Sequence, residues 1–159
     1  MNGNARIGIR WGSVVLGWLV ASVAGVLFSL FFAGLYGWVA GPPAEGRDVS
    51  AGVVVISLVS GFLAYLSGGF VAGRSAGYSG GVNGAMTAVF GLIVGLVVGA
   101  ILAVFGATFA QGVAMPPTNF GLTGGDLLTG LLLFLVNLFG SYIGGKLGEP
   151  LRPEIGRLG

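Results

Sequence analysis

Apolar positions in this chain come in four long blocks, and the polar positions gather between them. Residues 11–40, 51–73, 84–110 and 127–145 contain no charged side chain. About 20 consecutive apolar residues span the roughly 30 Å hydrocarbon core of a bilayer, so each block is long enough to cross. The pattern predicts an all-α membrane protein, a bundle of four transmembrane helices in one domain over residues 1–159. Its helices are expected at about 11–40, 51–73, 84–110 and 126–146, with a short tail over 149–159. At about 1.5 Å per residue the first block is longer than the core, so it must tilt, kink or project from the membrane. Trp11, Trp18 and Trp38 lie along that block, and tryptophan is a residue of the interface. Arg6 and Arg10 before an apolar run also fit a cleaved signal peptide. The run is far longer than the roughly 7–15 residues of a signal's apolar region and has no small-x-small cleavage site, which leaves a membrane helix.

Inside the blocks the small residues are regularly spaced. Gly17, Ala21, Gly25, Ser29, Ala33, Gly37 and Gly41 recur every fourth position in the first block, Ser60, Ala64, Gly68, Ala72 and Ala76 in the second, and Gly91, Gly95, Gly99, Ala103 and Ala107 in the third. Residues four apart share one face of a helix, so each row forms a groove of the glycine-zipper kind where another backbone can come close. Helices already solvated by hydrocarbon gain most from such packing. Gly17, Gly25, Gly68, Gly91, Gly95 and Gly99 are the predicted packing positions; the spacing leaves open whether the grooves are filled within one chain or by other subunits. The segment Phe62-Leu63-Ala64-Tyr65-Leu66-Ser67-Gly68-Gly69 can be laid on Leu138-Phe139-Gly140-Ser141-Tyr142-Ile143-Gly144-Gly145, a faint repeat that suggests two helical hairpins of one design. Pro42-Pro43 and Met115-Pro116-Pro117 lie in the two connections on one side, where proline ends a helix.

Composition sharpens this picture. Of 159 residues, 55% are hydrophobic and 8% charged, against roughly 25% charged in a soluble domain, and the mean hydropathy is +0.97. The absence of Cys excludes disulfides and thiolate metal sites, and the absence of His removes the usual general base and commonest metal ligand. Neither an enzyme nor a bound cofactor or metal is expected. With four crossings, Arg6, Arg10, Arg74, Lys146, Arg152 and Arg157 fall on one side and Arg47 alone on the other. The positive-inside bias predicts both termini in the cytoplasm. It also predicts membrane lipids as partners, with Arg74 and Lys146 at the head groups. The basic residues are too few and scattered for nucleic acid.

Three chemical motifs overlap in one stretch, and each fails in context. Gly68-Gly69-Phe70-Val71-Ala72-Gly73-Arg74-Ser75 departs from the phosphate-loop pattern by Arg74 in place of Lys, and an apolar helix precedes it where that loop needs a strand. An inner-face turn whose Arg74 reaches lipid phosphates is the expected role. Gly77-Tyr78-Ser79-Gly80-Gly81 matches G-x-S-x-G without the His that such a serine requires, and Leu66-Ser67-Gly68-Gly69 resembles a transporter-ATPase signature without the ATPase domain. All charged residues lie at or beyond the ends of the blocks, which argues against an ion-coupled pump. Asn137 is the most polar residue deep in a block and shares a face with Ser141; the two are candidates for a polar path, or Asn137 for an interhelical hydrogen bond.

The run Gly68-Gly69-Phe70-Val71-Ala72-Gly73-Arg74 followed by Asn83-Gly84-Ala85 resembles a diffuse set of small prokaryotic four-helix membrane proteins of unknown function. The resemblance implies the fold and a prokaryotic cell membrane, and carries over no functional residue. The function expected from the residues is a non-enzymatic scaffold or accessory subunit that packs against itself or another membrane protein. A homo-oligomeric pore or uncoupled facilitator for a small solute is the alternative.

Overall fold

The structure, a computed structural model, describes residues 8–40, 51–109 and 127–150. Four helices make it up: α1 (Trp11–Ala40), α2 (Ala51–Ala76), α3 (Gly80–Phe109) and α4 (Leu127–Gly148). Each contains a segment long and apolar enough to cross a membrane, and the protein is an all-α, multi-pass, four-helix membrane protein. A helix satisfies its backbone hydrogen bonds internally, as hydrocarbon requires. The first block is one uninterrupted helix of 30 residues, about 45 Å at 1.5 Å per residue, longer than the roughly 30 Å hydrocarbon core.

The expected boundaries of α1 hold, whereas those at the α2–α3 connection move inward. Residues 68–74 continue α2 as helix to Ala76, and α3 starts at Gly80 instead of residue 84. The turn is therefore only Gly77, Tyr78 and Ser79. Gly77 takes φ +75° and Ser79 φ 47°, a left-handed pair that reverses the chain at once; glycine adopts this conformation without steric cost. Sequence reasoning placed the break earlier because it ended the helix with the charge-free block and read Arg74 as part of the turn, whereas Arg74 lies in the last turn of α2.

Contact registers fix the topology. A Cβ on Gly17 would lie 2.6 Å from the Gly68 carbonyl oxygen and 2.8 Å from the Ala72 Cβ, while Tyr36 covers Gly52, so α1 and α2 run antiparallel. Between α2 and α4 the numbers rise together: Phe62 meets Gly140, Leu66 meets Gly144, and Phe70 meets Gly148. These two helices are parallel neighbours. Gly80 sits against Gly145 and Gly84 against Ser141, which makes α3 antiparallel to α4. Helix α2 packs on all three others, whereas α1 and α4 do not pack together among the described residues.

Packing is concentrated in the half of the bundle nearest the Gly77–Ser79 turn. Ala21, Tyr65 and Ala88 are buried there, with Leu92 and Leu138 against them, and the Trp18 and Phe90 rings meet edge to face at 5.5 Å. Towards the other end α1 exposes Leu30, Phe31, Leu35 and Trp38, the last 86% exposed. Apolar side chains facing lipid lose nothing by exposure, so the tight half is held by backbone proximity and polar contacts.

Candidate functional site

Helix α4 is clasped by glycines. A Cβ on Gly69 would overlap the Ser141 carbonyl, one on Gly73 the Gly145 carbonyl, and ones on Gly144 and Gly148 the Leu66 and Phe70 carbonyls. Each helix thus lays glycine against the backbone of the other. Gly80 and Gly84 of α3 press on Gly145 and Ser141 in the same way. The sequence signal for this was the row Gly140, Gly144, Gly148, four apart like the rows named on the other helices. The double glycines add to it: Gly68 faces α1 while its neighbour Gly69 faces α4. Adjacent residues lie about 100° apart around a helix, so a glycine pair opens two faces at once.

The six predicted packing glycines have different surroundings. Gly17 and Gly68 face each other, and Gly91 accommodates the Tyr65 hydroxyl and the edge of Trp18. Gly25 is buried and Gly95 half-buried. Gly99 departs from the expectation: a Cβ there meets nothing within 4 Å among the described residues, and the same holds for Gly34 and Gly37 of α1. The physical reason at the α1 end is one of face: α2 reaches this level, where Tyr36 covers Gly52, but Gly34 and Gly37 do not point at it.

At the turn end, polar groups lock the helix termini. Asn83 is fully buried; its Oδ1 accepts from the Arg10 backbone N–H at 2.8 Å, and its Nδ2 donates to the carbonyls of Gly8, Tyr78 and Ser79 at 3.3, 3.2 and 3.1 Å. The Arg10 guanidinium donates to the carbonyls of Ser75 and Ala76 at 3.2 Å each, placing a cation on the negative end of α2. Glu149 Oε2 accepts the Gly80 N–H at 3.1 Å, placing an anion on the positive end of α3. Sequence reading missed these roles because the partners that tie one element to another, Arg10 with Asn83, Ser75 and Ala76, Gly8 with Asn83, and Glu149 with Gly80, are more than 60 positions apart. Arg74 is exposed, and Lys146 holds its ammonium 5.4 Å from the Tyr142 ring centre. The described charged residues, Arg10, Arg74, Lys146 and Glu149, all lie at this end. Arg6, Arg47, Arg152 and Arg157 lie outside the described residues.

The interior of the packed half is polar. Asn83, Thr87, Ser60, Asn137 and Ser141 are among its largest fully buried side chains. The Thr87 hydroxyl donates to the Asn83 carbonyl at 3.1 Å, and the Ser141 hydroxyl crosses from α4 to the Gly84 carbonyl of α3 at 2.6 Å. Ser141 is therefore an interhelical tie. Asn137, one turn away on the same face, behaves differently: Oδ1 and Nδ2 both lack a hydrogen-bond partner in the protein, as does the Ser60 hydroxyl. Room for the Asn137 amide comes from Gly61, where a Cβ would stand 2.5 Å from Oδ1. The stretch resembling a phosphate loop is helical throughout, with Gly68, Gly69 and Gly73 committed to neighbouring helices, so it offers no loop to cradle an anion. Ser79 of the G-x-S-x-G match sits in the turn, its carbonyl engaged by the backbone and side chain of Asn83. Comparison with protein-family models, curated proteins and solved structures gives no match.

Proposed function

We propose that this membrane protein is a non-enzymatic scaffold or accessory subunit that binds a further membrane helix, from a second copy or another protein, through the small-residue face of α1. The observation that carries this reading is the continuation of the α1 row beyond its own partners. Gly17 and Ala21 of the row are occupied by α2, whereas at Gly37, further along it, a Cβ would meet nothing within 4 Å among the described residues, and the same holds for Gly34 one turn before it. In lipid, an open small-residue groove is where another helix backbone gains the most van der Waals contact. The end carrying Arg10, Arg74 and Lys146 faces the cytoplasm in this reading, with Arg74 and Lys146 at anionic head groups, each worth about 1 kcal/mol near such a surface.

The test is extraction with native lipids and mass spectrometry of the retained proteins, for wild type and for the double variant Gly34→Leu, Gly37→Leu. A stoichiometric companion, either a second copy or another membrane protein, held by the wild type and lost from the folded double variant is the expected result. A wild-type protein that emerges alone and monomeric refutes the reading. A homo-oligomeric pore or facilitator lined by Asn137 and Ser141 has weaker support. Asn137 is enclosed against Gly61 of its own chain, and the Ser141 hydroxyl is already committed to Gly84.

A further inference from the structure

The described cations at the turn end are used differently. The Arg10 guanidinium is engaged by the Ser75 and Ala76 carbonyls, and Glu149, the one carboxylate among the described residues, has its Oε2 on the Gly80 N–H. Arg74 and Lys146 are both exposed, but Lys146 is held. Its ammonium lies 5.4 Å from the centre of the Tyr142 ring, one turn back on α4, within cation–π range. Both side chains rest on α3 at Gly81, where a Cβ would stand 2.8 Å from Tyr142 Cε2 and 3.0 Å from Lys146 Cγ. The bare Gly81 backbone is the room that lets the ring and the lysine stem lie against α3.

Building on the placement of this end at the head groups, we propose that Lys146 and Tyr142 bind the phosphate of an anionic phospholipid, whose acyl chain runs along the exposed face of α4. The donor set decides the chemistry. An ammonium lying against a ring keeps N–H donors free on its other side, and a charged donor makes the strong kind of hydrogen bond to phosphate. The Tyr142 hydroxyl supplies a second donor about 6 Å along the helix axis from Lys146, one turn at 1.5 Å per residue. Tyrosine is a residue of the membrane interface, which sets this ring at head-group level. Because the ring already holds the ammonium, less side-chain freedom is lost on binding than for a lysine free in solvent.

The rest of α4 selects a lipid over a free phosphate. Leu128, Leu132, Leu135 and Phe139 lead to Tyr142 and Lys146 in alternating steps of four and three, so all six share one face. The four apolar side chains are between 48% and 76% exposed. From Leu128 to Tyr142 this strip is about 21 Å long at 1.5 Å per residue, more than the roughly 15 Å depth of one leaflet's hydrocarbon. An acyl chain can therefore follow it from the head group across its own leaflet. Arg74 has no such strip, since Phe70 is the only exposed large apolar residue on α2 between Val59 and Arg74.

Native mass spectrometry of the full chain in a neutral detergent, titrated with phosphatidylglycerol and with phosphatidylcholine of the same acyl chains, tests the site. The wild type is expected to bind phosphatidylglycerol about fivefold more tightly, the factor for one interfacial lysine. Lys146→Gln is expected to abolish that preference and Tyr142→Leu to lower it about twofold, whereas Arg74→Gln keeps it. These side chains are exposed, and unchanged thermal midpoints check that the variants are folded. Glycerol 3-phosphate, the same chemistry without chains, is expected not to displace the lipid at millimolar concentration; displacement overturns a lipid as the occupant. Equal binding of the two lipids by the wild type overturns the site, as does a preference that survives Lys146→Gln or is lost equally in Arg74→Gln. A preference untouched by Tyr142→Leu overturns the two-residue site. The readout is bound lipid, so its failure leaves the α1 reading standing, and a missing companion protein leaves the lipid site standing.

Discussion

Gly69 has no room for a side chain: any Cβ there would run into the Ser141 carbonyl, a backbone atom that cannot rotate aside. Gly12, by contrast, has nothing within 4 Å of its Cβ position among the described residues. Replacing each by Ala separates helix propensity from packing. Gly12→Ala should be neutral or raise stability by up to about 1 kcal/mol, because alanine is the better helix former. Gly69→Ala should lower stability by about 1–3 kcal/mol, the range for overpacking. Thermal unfolding in one detergent, followed by circular dichroism, makes the comparison; equal midpoints for the two variants would remove the case for backbone contact at Gly69. The same argument explains why a row of small residues was readable from sequence, while the identity of its partner was not. Spacing marks a groove on one helix, but the groove at Gly17 is filled only because Gly68 lies opposite.

Helix termini are stabilised here by residues from other elements. Helix α3 begins at Gly80 after the turn, with no acidic residue in its first turn, and its first amide is met by Glu149 from just beyond α4. Glu149→Gln keeps size but removes the charge that favours a helix N-terminus, and Glu149→Ala removes the acceptor as well. The alanine variant should speed hydrogen exchange at the Gly80 amide roughly fivefold, corresponding to about 1 kcal/mol, with glutamine intermediate. Exchange at Gly80 that is the same in all three proteins would show that Glu149 does not cap α3. Sequence patterning misses such a cap, because it searches for Ser, Thr, Asp or Asn within a residue or two of the helix start.

At the scale of the whole molecule, the up-down-up-down order places the end bearing Arg10, Arg74, Lys146 and Glu149 on one side of the bilayer. The chain contains no cysteine, so single introduced thiols report sidedness without background. Ser75→Cys at the turn end should react with a membrane-impermeant maleimide only after the cells are opened, and Ala40→Cys at the far end of α1 should react in intact cells. The opposite pattern would reverse the proposed orientation. The proposed orientation rests on the charge distribution alone, so it can be proposed before any packing is known.

Four spanning segments and the rows of small residues follow from composition and period alone, since the cost of exposing a peptide group to hydrocarbon leaves a long apolar block few alternatives to a helix. The choice of neighbours does not follow, because hydrophobicity is equal on every face once lipid is the solvent. Only the folded bundle pairs α2 with α4 in parallel, gives Gly68 and Gly69 to different helices, closes Asn83 over the N-terminal segment, and leaves Gly34, Gly37 and Gly99 without a neighbour among the described residues. Asn137 shows the division most clearly. Its depth was visible in the sequence, whereas its enclosure against Gly61 without a protein partner arises from two helices meeting, a relation between residues 76 positions apart.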